Sequence, residues 1–544
     1  MCMAQGYEAT NPTRRPTIQL VAPPLRSLTR GSRASSRRRA ANRIVAAVLG
    51  GTLVAACGAP AGVTTREASP IEDETVATAP AEPQQPEVSG DFEIEWESER
   101  ADVSEGSLEV PVDYRDPDGP AFTLHLVRNR ADDPSKRIGS LLVNPGGPGF
   151  GGSEYATYAD SVYGEELLAA FDIIGWDPRG TGKSTPALDC VDDYDKYYAE
   201  FDITPDDEAE RQVLVDTAEE FAAGCVERSG DILAFVGTND SARDMEAMRL
   251  ALGEEQLSYF GFSYGSELGA TWATLFPDAV RAAVLDGASD PTAGLDAGAL
   301  IQLAGFEDAV QAFLDDCSED TSCAFHNGGD AATAYDELMS KLDEAPLPTE
   351  PDRPEANRVV AIGATIAAMY SSSRWPELAQ ALADAQEGDG AGLLALFDSY
   401  YQRLPDGTWG DELEAFQSIV CMDSPDRTTV EQEDAGQPEF NKVAPRLSPG
   451  SAGDYFCTFF PESSDPRVEV SGAGAGPIVV IGTTGDPATP LSGTRTAANS
   501  LEEGTLVVVD ANEHTGYSVS TCAQEFVHAY LVELEVPADG TECD

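Results

Sequence analysis

A serine hydroxyl becomes a useful nucleophile only when a neighbouring base takes its proton and fixed donors receive the developing oxyanion. The segment Gly261-Phe262-Ser263-Tyr264-Gly265 has the G-x-S-x-G form that presents a serine on a tight strand-to-helix turn. It follows the largely apolar run Leu257–Phe260 and opens a stretch of helical spacing, Ser266–Phe276. That context makes Ser263 the expected nucleophile. Partners of such a serine follow in the order acid, then histidine. His514 lies in the loop after Thr505–Val509, whereas His528 sits inside the last helical stretch and is expected only to pack. Asp486, in the loop after Ile478–Ile481, is the expected acid, with Asp510 and Glu513 as rivals. It would hold the imidazole in one tautomer and stabilise its charged form. The expected oxyanion donors are the N–H groups of Tyr264 and Gly147, with Gly146 as an alternative in the glycine-rich loop Asn144–Gly152.

These residues need a sheet whose strand ends converge. Ser107–Val112 and Phe122–Val127 alternate apolar with other residues, which predicts half-exposed antiparallel strands. Gly139–Asn144, Phe171–Trp176, Leu257–Gly261, Ala282–Asp286, Ile478–Gly482 and Thr505–Asp510 are nearly all apolar, as parallel strands covered on both faces should be. Helical patterns lie between them, one over Ser241–Leu252 and another over Thr521–Leu534. The alternation predicts an α/β chain: a doubly wound, mostly parallel sheet of the α/β-hydrolase kind with an inserted, largely helical cap. The expected organisation is a signal segment over 1–56, a linker over 57–92, a first core part over 93–291 with an insertion at about 187–237, a cap over 292–475, and a second core part over 476–544. The glycines from Gly472 to Gly476 read as a hinge or linker closing the cap.

Composition excludes several functions. The chain carries 34 basic and 95 acidic residues, a formal charge of −61, so nucleic-acid phosphates would meet carboxylates. Such a surface is strongly solvated, with attraction of cationic substrates a secondary reading. Residues 1–56 run the other way, with nine arginines and one acid, Glu8. Arg37, Arg38, Arg39 and Arg43 precede a short apolar stretch, Ile44–Leu53, as in an export signal. It ends in Val54-Ala55-Ala56-Cys57-Gly58, which resembles the lipobox of bacterial lipoproteins, making Cys57 the expected lipidation site. Ordinary cleavage near Ala56 is the alternative. The expected location is the outer face of the cell membrane, held only by that lipid, or the medium. Residues 58 to about 92 are rich in Pro, Ala, Glu and Thr and read as an extended tether. Eight further cysteines in an exported chain predict disulfides. Sequential pairing is expected because each bond closes a local loop: Cys190–Cys225, Cys317–Cys323, Cys421–Cys457 and Cys522–Cys543. With no C-x-x-C pair and four histidines, neither a metal nor a cofactor is expected. Gly180–Thr185 imitates the end of a phosphate-binding loop, but Asp177 stands where that motif needs glycine.

Several motifs together carry a family resemblance. Asn144–Gly149, Gly175–Ser184, Ser263–Gly269 continuing to Phe276-Pro277-Asp278, Leu285-Asp286-Gly287 and Gly485–Pro490 resemble the secreted actinobacterial tripeptidyl aminopeptidases, relatives of the prolyl aminopeptidases. The resemblance covers residues from about 95 to 544. It implies release of short peptides from a free amino terminus through an acyl-enzyme, with acidic groups, often from the cap, binding the substrate ammonium. It assigns no positions to those acids. Prolyl relatives carry His-Gly-Gly-Pro-Gly in the oxyanion loop; Pro145 stands at the histidine position here, which favours the tripeptidyl branch. That branch also includes esterases and antibiotic-modifying hydrolases. The expected function is therefore an extracellular serine exopeptidase acting on peptides with a free N-terminus. An esterase or amidase for small exported compounds and a non-catalytic peptide-binding lipoprotein are the alternatives.

Overall fold

The computed structural model describes residues 85–100, 102–449 and 455–544. The export segment, Cys57 and most of the tether lie outside them. Ten strands form one sheet: β1 Ile94–Arg100, β2 Val103–Pro111, β3 Ala121–Asn129, β4 Gly139–Asn144, β5 Phe171–Asp177, β6 Leu257–Phe262, β7 Val280–Asp286, β8 Ile478–Thr483, β9 Gly504–Val509 and β10 Thr541–Cys543. Their order is β1-β2-β3-β5-β4-β6-β7-β8-β9-β10. The β1–β2, β2–β3 and β3–β5 pairs are antiparallel and all the others parallel. Along β2 and β3 buried positions largely alternate with partly exposed ones, while every residue of β4, β6 and β8 is buried. The sheet is covered on both faces. Leu142 and Val480 point into a core with Met245, Met248 and Trp272 from helices Thr238–Leu252 and Tyr264–Leu275. Their neighbours Leu141, Val143, Val479 and Ile481 point into the other core, with Val527 and Leu531 of helix Thr521–Glu533.

Differences from expectation have local causes. β1 is rich in acids and is held by pairing along β2; β10 has three residues and is held by β9 and the Cys522–Cys543 bond. The segment 292–475 divides in two. Phe313, Tyr335, Leu382 and Phe397, from helices spread over Leu295–Tyr400, form a separate helical core. Helix Glu412–Asp423 instead returns to the main core through Ala415, Ile419 and Met422, as do Phe460 and Val470. The glycines closing this segment are not loose: the Gly472 and Gly474 N–H groups donate to Thr274 Oγ1 at 3.0 Å and Glu502 Oε2 at 2.8 Å. The four disulfides pair sequentially, as the spacing suggested. Among the described residues, no helix is long and apolar enough to cross a membrane.

The Gly175–Ser184 motif is structural. Asp177 accepts the N–H groups of Ser153 and Lys183, each at 3.0 Å, tying the start of helix Ser153–Thr157, which follows the loop after β4, to the loop after β5. Arg179 is fully buried. It donates to Asp244 at 2.8 Å and to the carbonyls of Pro111, Val112 and Phe235. A buried pair satisfied on every side holds its place because removing one partner strands the other, at about 3–5 kcal/mol.

Candidate active site

Ser263 follows β6 and caps helix Tyr264–Leu275 with φ 54° and ψ −126°. A non-glycine residue in that region stores about 1–3 kcal/mol and persists only where its surroundings enforce it. Two anchors do so: the Ser263 N–H donates to Asp286 O at 2.8 Å, and Ser263 O accepts the Ser266 N–H at 2.7 Å. The flanking glycines are required by contact. A Cβ on Gly261 would lie 2.2 Å from Gly265 O, and one on Gly265 would lie 2.8 Å from Asn144 O. No side chain fits at either place.

The loop after β4 crosses directly beside this turn. A Cβ on Gly146 would come within 2.8 Å of Ser263 Cβ and 3.2 Å of Tyr264 N. The Gly146 N–H is already committed to Asn144 Oδ1 at 2.9 Å. Gly147, at φ 112°, makes no hydrogen bond through its N–H to any described residue. Tyr264 is the first residue of its helix, where N–H groups lack a partner within the helix. Of the two candidate glycines, Gly147 is thus the one with a donor to spare.

Asp486 and His514 meet in the loops after β8 and β9. His514 Nδ1 lies 2.9 and 3.1 Å from the two Asp486 carboxylate oxygens. Asp486 also takes the N–H groups of Ala488, Thr489 and Thr515 and the hydroxyl of Thr489. A carboxylate so surrounded by donors acts as an acceptor, so Nδ1 carries the proton and Nε2 presents its lone pair. Nε2 is buried without a hydrogen-bond partner among the described residues. The Asp486 side chain is fully buried and that of His514 is 11% exposed. Burial opposes charge on the imidazole, but the Asp486 carboxylate, with a further contribution from Asp286, outweighs it and raises the His514 pKa.

The rival acids are engaged elsewhere. Asp510 accepts from Thr484 Oγ1 at 2.8 Å, and Glu513 accepts from the Ser372 N–H and hydroxyl. His528 pairs with Tyr517 and Glu166. Three contacts around the histidine escaped the sequence. The Thr489 hydroxyl lies 3.4 Å from His514 Nδ1; its position three residues after Asp486, with its N–H and hydroxyl on that carboxylate, is the spacing of a capping turn. The main-chain carbonyl of Tyr370, from the helical insertion, accepts the main-chain N–H of His514 at 3.0 Å, and the Tyr370 ring stands edge-on to the imidazole at 5.4 Å. Nothing local announces a contact across that separation. Asp286 is the third, its carboxylate accepting the N–H groups of Gly516 and Tyr517 just after His514.

The chain matches the model of the α/β hydrolase fold over residues 139–327 and that of the TAP-like protein over 448–543. It is 37% identical to the "Serine protease Hip1" of Mycobacterium tuberculosis over 463 residues, covering 80% of this chain and 86% of that protein. The chain is a serine hydrolase of the α/β-hydrolase family. Two further relatives carry different names. The hydrolase is 35% identical to the "Carboxylesterase B" of Mycobacterium tuberculosis, covering 82% of this chain and 89% of the relative. It is 30% identical to the "Tripeptidyl aminopeptidase" of Streptomyces lividans, covering 83% and 86% respectively.

Proposed function

We propose that the protein is an exported serine exopeptidase that releases short peptides, tripeptides first among them, from free amino termini. Ser263 attacks the scissile carbonyl, His514 takes its proton and returns it to the leaving amine, Asp486 orients the imidazole, and the N–H groups of Tyr264 and Gly147 receive the oxyanion. The observation that carries this reading is the bidentate approach of Asp486 to His514 Nδ1, with Nε2 left without a partner in a loop at the same carboxyl-terminal edge of the parallel strands as the strained Ser263 turn. Relatives named as a serine protease and a tripeptidyl aminopeptidase support peptide chemistry.

A free amino terminus is supported by charge next to the oxyanion loop. Helix Glu412–Asp423 abuts that loop: a Cβ on Gly149 would lie 2.4 Å from Glu412 O and 2.7 Å from Phe416 N. Asp411 and Glu412 stand at its start. Burial, with repulsion from Glu412, pushes Asp411 up to about 6, and burial, opposed in part by main-chain hydrogen bonding and reinforced by Glu154, raises Glu412. Glu412 Oε2 is buried with no partner among the described residues. An ammonium group is the ligand that would restore charge balance there. The arginine-led apolar segment before Cys57 supports export, and Cys57 itself a lipid anchor.

The relative named as a carboxylesterase favours a second reading, an esterase or amidase for small compounds. Hydrolysis of a tripeptidyl chromogenic substrate, free and N-acetylated, separates the two. The exopeptidase turns over the free form, with the acetylated form slower by on the order of 100-fold or more, because a buried carboxylate left without its cation costs several kcal/mol. Equal turnover of both forms, or turnover of simple esters alone, sinks the exopeptidase reading.

The same roles set a pH dependence. The imidazole is a base only when neutral, and the neighbouring carboxylates raise its pKa. Activity should therefore fall on acidification, and the acid limb of kcat/KM should have its midpoint above the ordinary histidine value of about 6.5. A flat acid limb would remove His514 from the mechanism.

A further inference from the structure

Asp286 ends β7 and is wholly buried. Its main-chain carbonyl accepts the N–H of Ser263 at 2.8 Å and the hydroxyl of Ser266 at 3.1 Å. Its carboxylate reaches the other way. Oδ1 accepts the Gly516 N–H and Oδ2 the Tyr517 N–H, both at 2.8 Å. One residue therefore grips the turn that carries Ser263 with its main chain and the loop that carries His514 with its side chain. The next residue closes the joint: the Gly287 N–H donates to Ile481 O at 2.9 Å, on the strand that leads to Asp486. Gly287 has φ +73°, and a Cβ there would meet Thr489, Thr515 and His514 Cε1 at 3.1 to 3.3 Å.

Burying a carboxyl group is costly, and an apolar or neutral side chain would fill the space at lower cost. A carboxylate does two things that such a residue cannot. It offers separate acceptors to two successive N–H groups, and it places negative charge near the imidazole. The titratable groups facing it are His514, Asp486 and Tyr517. Burial pushes Asp286 up to about 7, against the pull of the Gly516 and Tyr517 N–H groups and of His514.

We propose that Asp286 is a positioning residue of the hydrolytic reaction, holding the Ser263 turn and the His514 loop in one register and adding to the negative field on the imidazole. The proposal rests on the roles given above to Ser263 and His514. It requires no contact between Asp286 and substrate.

The test uses Asp286→Asn and Asp286→Ser in the full chain, each checked for cooperative unfolding. Both remove the charge, and neither can satisfy both N–H groups as the carboxylate does. We expect kcat to fall on the order of 100-fold with KM changed little, because a base misplaced by about 1 Å loses its geometry while binding contacts remain. We also expect the acid limb of kcat/KM to move to lower pH. The sign follows from the charge: with a pKa of about 7 Asp286 is partly ionised over that limb, and removing its negative charge makes the imidazolium less favoured, so the His514 pKa drops. A merely structural role would lower the unfolding temperature and leave that limb in place. Wild-type kcat and an unmoved limb in either folded variant would overturn the proposal. If neither variant folds, an NMR titration of His514 in the double variant Ser263→Ala, Asp486→Asn decides, because Asp286 is then the one left of the two carboxylates that raise its pKa. A midpoint above about 6.5 supports the field and one at or below it overturns it. Turnover by Ser263→Ala separates the two failures. An active Ser263→Ala removes the triad reading itself, whereas a silent one beside a wild-type-like Asp286→Asn removes only the role of Asp286.

Discussion

Ser263→Ala is expected to lower kcat on the order of 10⁶-fold and to leave the fold intact. The substitution deletes one oxygen. The main-chain bonds that enforce the turn, from Ser263 N–H to Asp286 O and from Ser266 N–H to Ser263 O, do not involve that oxygen. The backbone stays at positive φ in both proteins, so the strain is common to both, and the unfolding free energy should change by no more than about 1 kcal/mol. What disappears is the acyl-enzyme. Without it only the oxyanion donors and substrate positioning remain, and these sustain a small residual rate over water. Steady-state kinetics and a thermal unfolding curve on the same preparation check both halves. A variant that is folded and retains a substantial fraction of kcat would contradict the assignment.

Asp486→Asn should cost on the order of 10⁴-fold in kcat with KM changed far less. Asp486 accepts from Ala488, Thr489 and Thr515 while lying 2.9 Å from His514 Nδ1. An amide keeps one oxygen for these donors but turns an N–H₂ group toward the rest. Facing Nδ1, that group favours the tautomer with its proton on Nε2, which cannot take a proton from Ser263. The charge that stabilises the imidazolium is lost as well. The acid limb of kcat/KM should accordingly move to lower pH. A loss of only a few-fold would place the orienting acid elsewhere, and Asp286 would be the first position to examine.

The parts of this site that were readable in the sequence are those fixed by neighbours in the chain. Gly261 flanks Ser263 because a Cβ there would meet Gly265 O, a constraint written within five residues, whereas Gly265 answers to Asn144 on the neighbouring strand and is read from the motif alone. The strands are readable because burial on both faces of β4, β6 and β8 demands unbroken apolar runs. Asp486 and His514 could be placed by strand order alone, since each lies in the loop after one of the last two long strands. Leu285-Asp286-Gly287 carries no local sign of a role for Asp286, because its partners Gly516 and Tyr517 lie 230 and 231 residues away. Tyr370 was hidden for the same reason: an insertion read only as a cap supplies a ring to the imidazole. The division of that insertion was also illegible. Helix Glu412–Asp423 is amphipathic like its neighbours, and only the packing of Ala415 and Ile419 against the main core distinguishes it.

The most direct test of the central claim is covalent. A fluorophosphonate offered to the folded domain should react when Ser263 Oγ forms a bond to phosphorus, fluoride leaves, and His514 takes the proton. Intact mass spectrometry should then show a single phosphonyl adduct, and peptide mapping should place it on Ser263. Excess free tripeptidyl substrate should slow the reaction, and Ser263→Ala should take up no label. An adduct on any other residue, or an unlabelled wild type under conditions where peptide is turned over, would contradict the account.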